Sequence, residues 1–459
     1  MMNKLSSIKK HATTSFSCLD HKKPVLLLSL LISLQGCGGG GSESDSTPTT
    51  PKSYAFSLTS TLTNKCGEKL PFADVELFLQ NENWSTIEKY HPDESGVFSF
   101  STENETINYT LVAKHQKDDK AEGVQLTSFY QARTTTPATY QAQHDETIDN
   151  SNCECITKNV SVAHATITNI NEVTSSASFQ DVTFTDSRNS IFNNVEVCRI
   201  TGSNWPLHSF SLVGKDNNEE IIGSGVFIEE DFGNEIWQVS AFESSTTESL
   251  ENNHQAFSNE QIINGNRHFM IEVQESDTSI QIFRSHDIVD LFRSEAQNIF
   301  EERPNLNDYL RTSSKQIITS EIYTASLLVK AESSVPDAFK DDQSRNELAI
   351  KSDGSYDFTS LADFPMAIVK IDFQAISPDT NSLMPVSWIT YGPIEGIVPI
   401  KAILPGYEYL IDEQTHFRID NEVIQSASSN TYNDYISFYQ NNLDMAFKTN
   451  LKSYQIITD

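Results

Sequence analysis

Apolar residues at every second position, in short runs cut by Gly, Pro, Asn and Asp, recur along this chain and select strands buried on one face. Phe56, Leu58, Ser60 and Leu62 alternate with polar or small residues, and Ala73, Val75, Leu77 and Leu79 alternate with Asp74, Glu76, Phe78 and Gln80. Between them, Lys65-Cys66-Gly67-Glu68-Lys69-Leu70-Pro71 is a turn segment by its Gly and Pro. Pro92-Asp93-Glu94-Ser95-Gly96 turns into Val97-Phe98-Ser99-Phe100, and Tyr109, Leu111 and Ala113 mark another strand. The pattern returns at Phe179–Phe184, Val195–Cys198, Ile236–Val239, Phe269–Val273 and Ala367–Gln374. The expected fold is mostly β, with tandem β-sandwich domains and one or two short packing helices.

Two segments depart from period two. From Ser285 to Arg303, Ile288, Leu291, Phe292, Ile299 and Phe300 fall at helical spacing, with Ser285 placed to cap the start and Pro304 past the end, so a packing helix is expected over 285–303. Its acidic residues outnumber its two Arg, which argues against a helix lying on an anionic membrane. A second helix is expected at 431–445 from Tyr432, Ile436, Tyr439 and Leu443. The chain divides into a leader (1–36), a tether (37–53), a first sandwich (54–150), a second β domain (151–284) and a third, β-rich domain (285–459) that contains both helices.

The leader has Lys4, Lys9, Lys10, Lys22 and Lys23 ahead of an apolar stretch from Pro24 to Leu34, the layout of a secretory signal and too short to span a bilayer. It closes on Leu34-Gln35-Gly36-Cys37, followed by Gly38 to Gly41 and a run of Ser, Thr, Pro and acid to Pro51, a composition that buries almost nothing. Leu34, Gly36 and Cys37 resemble the lipobox of bacterial lipoproteins. The resemblance implies cleavage before Cys37, acylation of that residue and attachment to a membrane through the lipid. Gly38 and Gly39 after the Cys, in place of the Asp that tends to retain enteric lipoproteins at the inner membrane, imply the outer membrane.

Four cysteines remain beyond Cys18 and Cys37. In an exported chain Cys66, Cys153, Cys155 and Cys198 predict two disulfides. Cys153 and Cys155 are too close to pair comfortably, so each is expected to reach Cys66 or Cys198, clipping the first domain to the second. A four-thiolate metal site fits less well, because such sites use longer spacers and a reducing compartment.

The chain of 459 residues carries 32 Lys and Arg against 63 Asp and Glu, a formal charge of −31. Phosphate binding relies on clustered cations, so nucleic acid is not an expected partner. The acidic runs at Glu219-Glu220, Glu229–Asp231 and Asp341-Asp342 lack the alternating pattern and turn Gly of a calcium loop, so no metal is assigned.

The order strand, turn, strand, then Asp-x-x-Gly-x-Phe-x-Phe resembles the carboxypeptidase-regulatory or transthyretin-like β-sandwich. The matching positions are Gly67, Leu70, Pro71, Phe72 and Ala73, then Asp93, Gly96, Phe98 and Phe100. The resemblance implies a supporting or binding domain without catalytic residues of its own. A shorter echo stands at Asp353-Gly354-Ser355-Tyr356-Asp357-Phe358.

No nucleophile-and-base motif, paired His or phosphate loop is evident, and no catalytic residue or cofactor is assigned. Gly223-Ser224-Gly225 lacks the spacing of a nucleophile elbow and reads as a hairpin turn before Val226-Phe227-Ile228. Trp84 and Trp205 sit in loop-like sequence and are candidate ligand contacts, whereas Trp237 and Trp388 look like strand residues directed into a core. The sequence thus predicts a lipid-anchored envelope protein acting as a non-catalytic binding or structural module for a protein, peptide or glycan. The alternatives are a surface hydrolase acting on glycans with paired carboxylates, and an accessory that adds a partner strand to an exposed sheet edge.

Overall fold

The computed structural model describes residues 52–458 apart from short breaks, the longest at 143–147, 229–235, 283–290, 322–326 and 442–448. Where the sequence alternates, burial alternates with it: β1 (Tyr54–Thr63) buries Phe56, Leu58, Ser60 and Leu62. The first sandwich continues with β2 (Lys69–Pro71), β3 (Val75–Gln80), β4 (Thr86–Tyr90), β5 (Val97–Thr102), β6 (Thr106–Lys117), β7 (Lys120–Arg133) and β8 (Ala138–Gln141). β1 pairs antiparallel with β5 and parallel with β8, and faces a second sheet ordered β4-β3-β6-β7. Phe56, Leu58, Phe98, Leu77, Tyr109 and Leu111 meet between the sheets. The turn before β5 needs its glycine: Gly96 has φ +74°, and a Cβ there would lie 2.3 Å from the Ser60 carbonyl oxygen.

The second sandwich is built from β9 (Cys153–Ala163), β10 (Asn169–Ser175), β11 (Asp181–Phe184), β12 (Asn189–Ile200), β13 (His208–Lys215), β14 (Ile221–Ile228), β15 (Ile236–Val239) and β16 (Glu243–Ser244). Its sheets run β11-β12-β9-β15 and β10-β13-β14-β16, around Val160, Phe192, Val197 and Phe210. The third comprises β17 (Thr246–Ser249), β18 (Phe257–Ile263), β19 (Asn266–Val273), β20 (Ser279–Ile282), β21 (Leu291–Asn305) and β22 (Asp308–Ser320). Leu327, Val329 and Ala331 complete its core. After α1 (Asp342–Glu347), the fourth comprises β23 (Ser355–Asp357), β24 (Met366–Ile376), β25 (Leu383–Pro393), β26 (Glu395–Ile397), β27 (Arg418–Ser426), α2 (Tyr432–Asn441) and β28 (Leu451–Thr458).

One pairing plan recurs in all four. The opening ladder is antiparallel: β1·β5, β9·β12, β17·β20 and β23·β26. The facing sheet is built on β3·β6·β7, β10·β13·β14, β18·β21·β22 and β24·β27·β28. A hairpin partner flanks it as β4, β19 or β25, while in the second sandwich β11 crosses to the other sheet. The first and second sandwiches share the parallel closing strand, β8 on β1 and β15 on β9. The segment expected to be one β-rich domain from 285 is therefore divided between two sandwiches, since β20 and β21, on either side of the expected boundary, both belong to the third. The short echo at Asp353–Phe358 is the opening strand of the fourth sandwich, with Tyr356 and Phe358 buried in its core.

Three of the facing sheets join into one of twelve strands, ordered β19-β18-β21-β22-β28-β27-β24-β25-β7-β6-β3-β4. β22 meets β28 antiparallel, whereas β25 meets β7 in parallel, from Val386 opposite Val124 to Tyr391 opposite Phe129. The parallel join turns the first sandwich over relative to the fourth, so their companion sheets cover opposite faces. Each covers the other's outer face as well. The segment 398–411 lays Leu404 and Tyr407 against Phe78, Val112 and Leu126, and α2 lays Tyr432 and Ile436 against Met366, Tyr391 and Tyr140. With both faces covered, Leu77, Phe78 and Leu79 are all buried, and alternation disappears from β3. The second sandwich packs on the third through Val213, which joins Phe257, Val273 and Ile280.

The helix expected over 285–303 is corrected by β21, a strand from Leu291 to Asn305 (283–290 lie outside the described residues). Its inward positions are Phe292, Ser294 and Ala296, with Ser294 fully buried and accepting from Asn259 Nδ2 at 2.7 Å. A small and a polar residue on the core face hide period two, and farther along the strand Phe300 packs against the core of the fourth sandwich beside a register shift between Ile299 and Glu301. The second expected helix is α2, and Leu443 lies outside the described residues.

Candidate binding surfaces

Cys37 lies outside the described residues. The other four cysteines form two bridges, Cys66–Cys153 and Cys155–Cys198. Cys66 is presented by a loop folded around Asn64, whose Oδ1 accepts from the N–H groups of Cys66 at 3.1 Å and Glu68 at 2.9 Å. Its bridge ties the first sandwich to the start of β9, joining residues 87 apart in sequence. Closing a loop of that length restricts the unfolded chain by about 4–5 kcal/mol. Cys155 stands directly opposite Cys198 in the β9·β12 ladder, so the second bridge lies within the second sandwich. Glu196 sits beside it and pairs with Lys65 at 3.7 Å. All four sulfurs are committed to S–S bonds, which leaves no thiolates for the alternative metal site. Disulfides of this kind belong to oxidising compartments outside the cytoplasm. Among the described residues no helix is long and apolar enough to cross a membrane.

Trp84 is not available as a ligand platform. It is 1% exposed, with a φ of 61° that a side chain this bulky rarely adopts. Asn81 builds the turn that allows it, its Oδ1 accepting from the N–H groups of Asn83 at 3.0 Å and Ser85 at 2.9 Å. The indole is thereby driven into the interior, where Nε1 donates to the Ile397 carbonyl at 2.7 Å. Trp205 is half-buried and packed against the core of the second sandwich, with the Arg199 guanidinium 4.3 Å from its ring centroid. The structure does not bring these two tryptophans together, since Trp84 belongs to the first sandwich and Trp205 to the second.

A continuous hydrogen-bond relay lies beneath the seam of the first and fourth sandwiches. Trp388 Nε1 donates to Ser128 Oγ at 2.8 Å, Ser128 and Thr110 share a 2.7 Å bond, and Thr110 Oγ1 donates to Gln80 Oε1 at 2.7 Å. Gln80 Nε2 then donates to the Trp84 carbonyl at 3.0 Å, and the Trp84 indole returns to Ile397 in β26. The relay starts and ends in the fourth sandwich and crosses three strands of the first. Nothing in the sequence flags it, because Gln80, Thr110 and Ser128 read as ordinary polar letters of strands.

On the face above the relay, residues 400–411 and Trp388 enclose a hollow of about 240 Å³ lined by Ile400, Ile403, Leu404, Tyr407 and Leu410, with Lys401 and Glu408 at its wall. It accommodates an apolar side chain or a similarly small group. Glu408 is the single carboxylate of that wall, so the hollow does not supply the facing pair that glycoside hydrolysis requires. Ser176 and His208 make a hydroxyl–imidazole pair, Oγ to Nδ1 3.2 Å, but the far nitrogen, Nε2, is buried without a partner among the described residues. Burial pushes that imidazole down to about 4 and keeps it neutral. The pair packs as interior structure beside the second sandwich.

The twelve-stranded sheet ends at β4. Ile87 on this strand is 61% exposed and Ile403 beside it 71%, and Thr86 Oγ1 donates to the Ile403 carbonyl at 3.4 Å. No protein family and no curated protein matches this chain. Among solved structures, two B repeat units of the collagen binding protein of Staphylococcus aureus align with it at 9% identity, covering 83% of this chain and 96% of that one with a TM-score of 0.13, a likeness too slight to carry an argument.

Proposed function

We propose that the protein is a lipid-anchored lipoprotein of the outer membrane, acting as a non-catalytic binding or structural module. The observation that carries this reading is closure of the chain on itself: the first and fourth sandwiches share one sheet, and the first is bridged to the second by Cys66–Cys153. Such a body resists opening at either end of the chain, which suits a module held at a surface. Cys37 and the Gly, Ser, Thr and Pro residues that follow it precede β1, so the lipid attaches ahead of the folded body. Several acyl chains, at roughly 0.8 kcal/mol per buried methylene, hold a protein on a membrane durably. Intact mass and membrane fractionation of the wild type and of Cys37→Ala test the anchor. The expected result is an acylated, membrane-bound wild type and an unacylated variant released to the soluble fraction; equal membrane association of both would refute it.

A further inference from the structure

β4 and β25 hold equivalent places in their sandwiches, each the hairpin partner of the strand that starts the facing sheet. β25 accepts β7 along its outer side in parallel, which is how the first and fourth sandwiches become one sheet. The outer side of β4 carries no strand among the described residues. We propose that β4 is a docking edge for an extended segment of another protein that carries Lys or Arg beside apolar residues and pairs in parallel with it. This rests on the binding-module reading and names its surface and partner chemistry.

Charge sets the preference. Glu82, Glu88 and Glu94 are exposed on and around the strand; of the cations nearby, Lys89 is held by Glu76 at 2.7 Å, and Lys401 is exposed two residues before Ile403. Ile87 offers an apolar position between them. A second copy is a poor occupant, since each chain carries a formal −31 and β7, the strand that fills the equivalent edge, is already paired on both sides. Backbone pairing supplies the attachment, and side chains at alternate positions supply selectivity.

The probe is a synthetic peptide copying β7, residues 120–133, which carries Lys120, Arg133 and the single carboxylate Glu122. Hydrogen exchange is followed on the full chain. At peptide concentrations about ten times the dissociation constant, amides of 86–90 should exchange about tenfold more slowly. Glu88→Lys should weaken binding about threefold while leaving the circular dichroism unchanged. A peptide with Lys120→Glu and Arg133→Glu should give no protection. Absence of protection at 86–90, equal protection by the acidic peptide, or protection confined to β25 would overturn the proposal. None of these results depends on acylation of Cys37, so failure here and failure of the anchor are told apart.

Discussion

The indole of Trp388 donates to the hydroxyl of Ser128 at 2.8 Å across 260 residues of sequence. Both residues are buried, so neither group can turn to water if its partner is lost. On the opposite face of the same seam Phe129 stacks on Tyr391 with centroids 5.2 Å apart, and Tyr432 of α2 donates to the Tyr391 carbonyl at 3.0 Å. The seam is thus secured on both faces.

Ser128→Ala should cost about 1–3 kcal/mol, because the Trp388 indole is left desolvated and unpaired, whereas after Trp388→Phe the Ser128 hydroxyl keeps its bond to Thr110. Ser128→Ala and Trp388→Phe, compared by urea unfolding with the double variant, should show a coupling of about 1 kcal/mol. Additive losses would mean that the bond contributes nothing.

At Trp84 the usual order of substitutions should invert. Truncation to Ala loses the buried indole, about 3–5 kcal/mol. The backbone at φ 61° still burdens an alanine, so Trp84→Gly should be more stable than Trp84→Ala by about 1 kcal/mol. Thermal unfolding of the two variants decides, and a more stable alanine would show that the turn relaxes out of the left-handed region.

His208 should make the chain less stable in acid. Its folded value of about 4 lies below the ordinary 6.5, so between these values the unfolded chain binds a proton that the folded chain refuses. The stability it confers is complete above about pH 6.5 and is lost as pH falls toward 4, by about 3 kcal/mol in all. Comparing wild type with His208→Asn at pH 7 and pH 5 isolates this part from the carboxylates. The wild type should lose more stability than the variant over that interval, and equal losses would exclude the imidazole as the cause.

Breaking Cys66–Cys153 should loosen the second sandwich from the first without melting either core. Cys66→Ser with Cys153→Ser should lower stability by about 2–5 kcal/mol and open the connection at 148–152 to protease. A lowered midpoint with no new cleavage would mean that the packing around Lys65 and Glu196 holds the junction unaided.

Strands buried on one face could be read from sequence, as β1 and the Asp93–Gly96 turn show. Period two also marks β3 and β6 as strands, but as strands buried on one face; the burial of Phe78 and Val112 on the other depends on cover from the fourth sandwich. The segment at 285–303 misled for a different reason: Ser294 and Ala296 hold core-facing positions in β21, and the remaining apolar letters imitate a helix. Cysteine spacing limited the pairings to two and could not choose between them, because the choice depends on where the Asn64 loop aims Cys66. Trp84 looked like a surface aromatic because it follows Asn81-Glu82-Asn83, yet that polar turn is what directs it inward. The join of β7 to β25 left no local trace, being a contact between strands 260 residues apart.

That join is the center of the account, and cross-linking measures it. Thr127 and Ile389 are register partners across the seam. In a chain carrying Thr127→Cys and Ile389→Cys, oxidation should produce a disulfide that keeps the N-terminal and C-terminal fragments together, by mass, after cleavage between 320 and 330 and denaturation. Separation of the fragments, with both new thiols still free to alkylating reagent in the folded protein, would contradict a sheet shared by the first and fourth sandwiches.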